Sequence, residues 1–219
     1  MLWRYLQKKI WEMTLAVMGC LGVISAIYTD VFILSDQLQE ASVTEISQEL
    51  ILLATAMQLL SNARRDKARR PVLLLMSGFF TVLLIREMDF ALDLLAHGCW
   101  LWFALVITFV SLFQAFLYGQ QTLNGLADFM CRAAWGQMCA GLITVLIFSR
   151  FMGINDLWQC LLGKDFPRMA KNMVEEGTEL FGYMLCFFSV KGYLHELRWN
   201  NQLLFPVTSD RSASGRSSS

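Results

Sequence analysis

Three short stretches of the chain concentrate side chains that can do chemistry. EISQEL holds Glu45 and Glu49, REMDFALDLLAH holds Arg86, Glu87, Asp89, Asp93 and His97, and EEGTEL holds Glu175, Glu176 and Glu179. Carboxylates beside a guanidinium can bind a cation, relay protons or hold a polar solute. Carboxylates joined by a histidine can instead hold a divalent ion that activates water. Outside a membrane such residues are ordinary loop charges; inside one they form a site. The elements that carry them therefore decide their meaning.

The chain has 219 residues, 56% of them hydrophobic and 16% charged, with a mean hydropathy of +0.46. A soluble domain carries about 25% charged residues, so this chain has too few to cover a water-facing surface. Apolar runs recur at about 20 residues, the length that crosses a bilayer as a helix. The expected class is all-α, a polytopic helical membrane protein whose main partner is the lipid bilayer. Net charge is zero and no basic patch is large enough to suggest nucleic acid. The six cysteines show no CxxC spacing and read as buried single thiols within apolar runs.

Six spans fit, approximately Trp11–Leu34, Glu45–Asn62, Pro71–Phe90, Gly98–Tyr118, Ala134–Met152 and Glu175–Leu194, making residues 1–200 one transmembrane domain. The basic flank before the first run resembles a signal peptide. The run is too long for an h-region, however, and no clear A-x-A site follows it, so it reads as an uncleaved span. Arg4, Lys8 and Lys9, the linker ARRDKARR, and Lys191, Arg198, Arg211 and Arg216 all fall on one side of six crossings. SDQLQEASVTE, on the other side, has no basic residue, which places both termini in the cytoplasm. Residues 119–133 read as a nearly uncharged loop. DLWQCLLG, with Asp156 as its cap and Gly163 as its stop, starts a short outward amphipathic helix near 156–173. The tail, residues 201–219, is Ser-rich and expected to be disordered. Trp100, Trp102, Trp135 and Trp158 suit interface anchors.

Span length then pulls charge into the membrane. Pro71 to Ile85 rises only about 22 Å, short of a hydrocarbon core about 30 Å thick. The third helix must continue through Arg86, Glu87, Met88, Asp89 and Phe90. Counting back from Lys191, the clean part of the sixth span stops at Leu180, so Glu179 and with it Glu176 and Glu175 enter the crossing. Glu49 lies a turn inside the second. Isolated charges in lipid cost roughly 2.5–3.5 kcal/mol each, so these should face the bundle and pair. Arg86, the one strong cation expected at that depth, is predicted to bind Glu49, Glu179 and Asp89.

The expected site is an outward-opening intramembrane pocket lined by Glu49, Arg86, Glu87, Asp89, Glu176 and Glu179, with Glu45, Asp93, His97 and Glu175 at its rim. On a continuous third helix, Asp93 and His97 share a face with Arg86 and Glu87 points about 100° away. Simpler roles stand beside these. Ser42-Val43-Thr44-Glu45 is a capping box, His97 before Gly98 suits a helix end, and an ion-pair network could merely fix helix packing. Asp30 and Arg150, near outer span ends, could join that network or reach the interface.

Three functions follow from this pattern: a small transporter or binding protein for an ion or polar solute, a membrane-embedded metal-dependent hydrolase acting on lipid, and a non-catalytic scaffold or accessory subunit. Whether the chain is an enzyme stays open, and no metal or cofactor is identified. As a transporter it would be small, so a homodimer is expected. Its multi-pass architecture resembles that of ceramidase-like membrane hydrolases, which build a zinc site from several histidines with Ser and Asp. His97 and His195, predicted on opposite sides, cannot assemble that site. No Walker loop, dinucleotide fingerprint, HExxH or G-x-S-x-G occurs. The general form resembles small bacterial inner-membrane proteins, and that membrane is the expected location.

Overall fold

The computed structural model describes residues 2–32, 42–93, 98–163 and 168–204. Over these the chain is all-helical, with no strand. The elements are α1 (Leu2–Phe32), α2 (Val43–Arg65), α3 (Arg70–Glu87), α4 (Asp89–Asp93), α5 (Cys99–Leu117), α6 (Gly119–Met130) and α7 (Ala133–Ile143). A π-helical stretch, Thr144–Phe148, leads into α8 (Ser149–Met152), and α9 (Asn155–Leu162) and α10 (Arg168–Leu204) follow. His97, Lys164 and the tail 205–219 lie outside the described residues.

Helices α2 and α10 form the centre. Helix α3 packs on α2, α5 and α6 pack on α3, α7 lies along α10, and α1 touches both α2 and α10. Leu52, Leu59, Leu73, Phe80, Val145, Tyr183 and Tyr193 make the main core, while Val23 and Ala26 join α1 to Leu180 and Met184 of α10. The closest approach is between α7 and α10. A Cβ on Gly182 would meet Val145 Cγ2 at 2.5 Å and the Gly141 carbonyl at 3.0 Å. Only glycine at both positions lets these backbones lie so close.

Helix α2 begins with three of its first free N–H groups satisfied by side chains. Asp30, at the end of α1, accepts from Val43 N at 2.7 Å and Thr44 N at 2.9 Å. Ser42 Oγ accepts from Glu45 N, and the Ser42 carbonyl from Ile46 N. Asp30 thus stays out of the lining of the charged cleft described below. It caps a neighbouring helix, where a negative charge also suits the dipole.

Three segments are long and apolar enough to cross a membrane: Met13–Phe32, Cys99–Leu117 and Ala133–Met152, with mean hydropathies of 1.8, 2.0 and 1.3. They suggest membrane association. Six such spans were expected, and the difference lies in α2, α3 and α10. Helix α2 carries Glu45, Gln48, Glu49, Asn62, Arg64 and Arg65, and α3 carries Arg70, Arg86 and Glu87 within 18 residues. The clean stretch of α10 is short. These helices also bury the polar residues Gln48, Thr55, Ser77, Glu179 and Ser189.

Four local expectations change. The third helix does not run to Phe90: Met88, with ψ 18°, ends α3, and Asp89 opens α4. Residues 119–130 are a helix rather than a loop, because Thr122, Gly125 and Phe129 recur on one face and bury it. The amphipathic helix near 156–173 is instead α9, which stops at Gly163 (φ 89°), and the start of α10. Asp156 lies in the first turn of α9 and no side chain caps that helix. All six cysteines are free, but only Cys186 is buried, and Cys131 and Cys160 are exposed.

Candidate functional site

A cleft of about 260 Å³ opens at the end of the bundle where α2 begins and α3 ends. Its lining is Glu45 and Gln48 of α2, Arg86 and Glu87 of α3, Asp89 of α4, Arg150 of α8, and Glu176 and Glu179 of α10. Five helices converge there, and five carboxyl groups face two guanidinium groups.

Glu179 is the pivot. Its residue surface is only 4% exposed, and it pairs with Arg86 Nη2 at 3.3 Å and with Arg150 Nη2. Ser149 Oγ donates to the same carboxylate at 3.1 Å. A carboxylate this buried persists as an ion only when surrounded by such donors. The π-helical stretch helps supply them. Its i→i−5 bond, Ser149 N to the Thr144 carbonyl, displaces the register by about one residue, so Ser149 and Arg150 both reach Glu179.

Arg86 makes a second set of bonds. Its Nε donates to Glu87 Oε1 at 3.1 Å, its Nη2 pairs with the same oxygen, and Nη2 lies 3.4 Å from Tyr183 Oη. Tyr183, buried on α10, donates to Glu87 Oε1 at 2.6 Å. Glu87, expected to point elsewhere, is therefore the main partner of Arg86. Arg86 and Glu87 both precede the break at Met88 and fold their long side chains together from adjacent positions, while the break takes Asp89 and Asp93 out of the angles counted along a continuous third helix.

On the α2 side, Gln48 Nε2 donates to the Glu176 carbonyl at 2.8 Å and Ser42 Oγ donates to Glu176 Oε2 at 3.4 Å. Among the described residues neither the Glu45 nor the Glu176 carboxylate has a cationic partner.

Of the expected lining residues, Arg86, Glu87, Asp89, Glu176 and Glu179 are brought together, and Glu45, expected at the rim, lies in the wall. Glu49 is not in the lining, although it is four residues from Glu45; α2 turns Gln48, on the other side of Glu45, inward. Asp93 is not in the lining; it accepts from Gly98 N, the residue before α5, at 2.8 Å. Glu175 stays outside the cleft, paired with Arg150 at 3.4 Å and Lys171 at 3.7 Å. The rim residue His97 lies outside the described residues. Arg86 is not the sole cation, because Arg150 stands across Glu179 from it.

Gln48, Ser149 and Tyr183 have no signal in the composition of charges. Gln48 could have been found as a large polar residue at helical spacing with Leu52, Thr55 and Leu59 on the buried stripe of α2. Among the described residues, no three His, Cys, Asp or Glu side chains converge as a metal-ligand set. No family model matches the chain, and no curated protein or solved structure is detectably similar to it.

Proposed function

We propose that the chain is a six-span membrane protein with both termini in the cytoplasm, whose outward-opening cleft binds a small cation or cationic polar solute, as in a small transporter. One observation carries the binding reading. Five carboxyl groups share the cleft with two guanidinium groups, and Glu45 and Glu176 have no cationic partner among the described residues. A bound positive charge would supply it.

Two features support the membrane placement. The outer faces of the bundle are apolar: Leu50, Leu53, Met57 and Leu60 of α2 are exposed, as are Trp102, Phe109 and Phe116 of α5, while Gln48, Thr55, Ser77 and Glu179 lie inside. Water would favour the reverse, whereas lipid suits apolar side chains outside. The ion pairs also sort by end. Asp66, Arg69, Asp128, Arg132 and Glu196 meet at one end, while the cleft residues gather at the other. Six alternating crossings would place those two groups on opposite sides.

The ion pairs around Glu179 hold α3, α8 and α10 in register, so the binding test uses the other acids. In reconstituted full-length protein, sodium, potassium, magnesium and tetramethylammonium are titrated against wild type, Glu45→Gln and Glu176→Gln. At least one of them should bind saturably. Each substitution should weaken it roughly tenfold, at about 1.5 kcal/mol for a bond to a charged group. Uptake of that cation into liposomes should fall in parallel. Binding of none of them, or unchanged affinity in both folded variants, would sink the proposal.

A further inference from the structure

We infer that a second cleft, at the opposite end of the bundle, holds the phosphate headgroup of an anionic lipid. The cleft measures about 520 Å³ and lies where α2 ends and α3 begins, closed by α10. Arg65, Lys67 and Arg198 reach it from three segments, with Asn62 and Asp66 beside them and Leu73 and Leu197 as its apolar lining.

Its single carboxylate is already occupied. Asp66 Oδ1 accepts from Ala68 N at 3.1 Å and Arg69 N at 3.2 Å, and Oδ2 pairs with Arg69 Nη1 at 3.1 Å. Arg69 is thus drawn away to neutralise Asp66. Among the described residues Arg65, Lys67 and Arg198 have no carboxylate partner. Arg198 is oriented by Asn62, whose Oδ1 accepts from its Nη2 at 3.4 Å while Asn62 Nδ2 is held by the Gln58 carbonyl at 2.7 Å. The three cations are thus free to meet one anionic group.

The position of the cleft separates a lipid from a free anion. Leu73, in its wall, lies two residues into the helix from Pro71. On the placement proposed above, that is the cytoplasmic boundary of the membrane, the level of the lipid phosphates. Basic pockets between helices on that side are suited to acidic headgroups.

Native mass spectrometry of the full chain in mild detergent, with equal phosphatidylglycerol and phosphatidylcholine, tests the assignment. Phosphatidylglycerol should be retained in preference. Lys67→Gln with Arg198→Gln should weaken retention by roughly fivefold per cation, about twenty-five-fold together. Arg64→Gln with Arg70→Gln removes the same charge from exposed positions outside the cleft and should leave retention unchanged. Three results would overturn the assignment: no preference between lipids, equal loss in both variant pairs, or displacement of the lipid by millimolar inorganic phosphate. The inference rests on the membrane placement but not on the acidic cleft. Carbonate-resistant membrane retention of the same variants reports on the membrane placement separately.

Discussion

Arg86 and Arg150 share Glu179 but do not carry equal weight. The Arg86 side chain is 30% exposed and faces Glu87 and Glu179, which are 11% and 5% exposed; the Arg150 side chain is 48% exposed. Arg86→Gln strips Glu87 of its guanidinium and leaves Tyr183 as its donor. Removing one partner of a buried ion pair costs about 3–5 kcal/mol. Arg150→Gln leaves Glu179 with Arg86 and Glu175 with Lys171, so its cost should stay below about 1 kcal/mol. Thermal unfolding in detergent should rank Arg86→Gln well below Arg150→Gln, and a reversed order would show that the pivot is misassigned. At the other end of the bundle, the hydrogen bonds that the Arg132 guanidinium donates to Asp128 hold its pKa above its ordinary value, and Arg132 stands 5.5 Å from the Tyr193 ring centre. The acids and Arg86 were legible in the sequence because charge inside an apolar run is conspicuous. Gln48, Ser149 and Tyr183 were not, because uncharged polar residues are common in such helices.

Helix packing has its own test in the α7–α10 contact. A Cβ at Gly182 enters space held by Val145 and by the Gly141 carbonyl, so Gly182→Ala should cost about 1–3 kcal/mol through overpacking. Gly192, on the same helix, has nothing within 4 Å of its added Cβ. There the change to alanine should gain about 0.5–1 kcal/mol, because glycine is a poor helix former. Comparing the two unfolding midpoints isolates the helix contact from propensity; equal shifts would refute it. The long helices were readable from apolar runs and caps, down to Ser42 on Glu45 N. The break at Met88 was not, since no proline or glycine marks it. Helix α6 was missed because its sparse charge resembles a loop, although its buried face has helical spacing.

At the level of the whole molecule, the proposed topology makes a direct prediction about two exposed thiols. Cys131 lies between α6 and α7, on the side proposed as cytoplasmic, and Cys160 lies on α9, on the outer side. In single-cysteine variants expressed in intact cells, an impermeant maleimide should label Cys160 at once. Cys131 should react only after the membrane is opened. Labelling of both thiols in intact cells, or of Cys131 alone, would reject the six-span arrangement.

The sequence by itself determined that the chain is helical, where its apolar segments lie, and which charges cannot sit comfortably in them. Those properties follow from composition and from the rise per residue, which act locally. Only the tertiary structure decided which charges meet. Whether Arg86 meets Glu179 or Glu49 depends on how α2, α3 and α10 are rotated against one another. Arg150 reaches Glu179 because a π-helical stretch shifts α8 by a residue. Such angles are set by packing between helices distant in sequence, to which no single helix's own pattern responds.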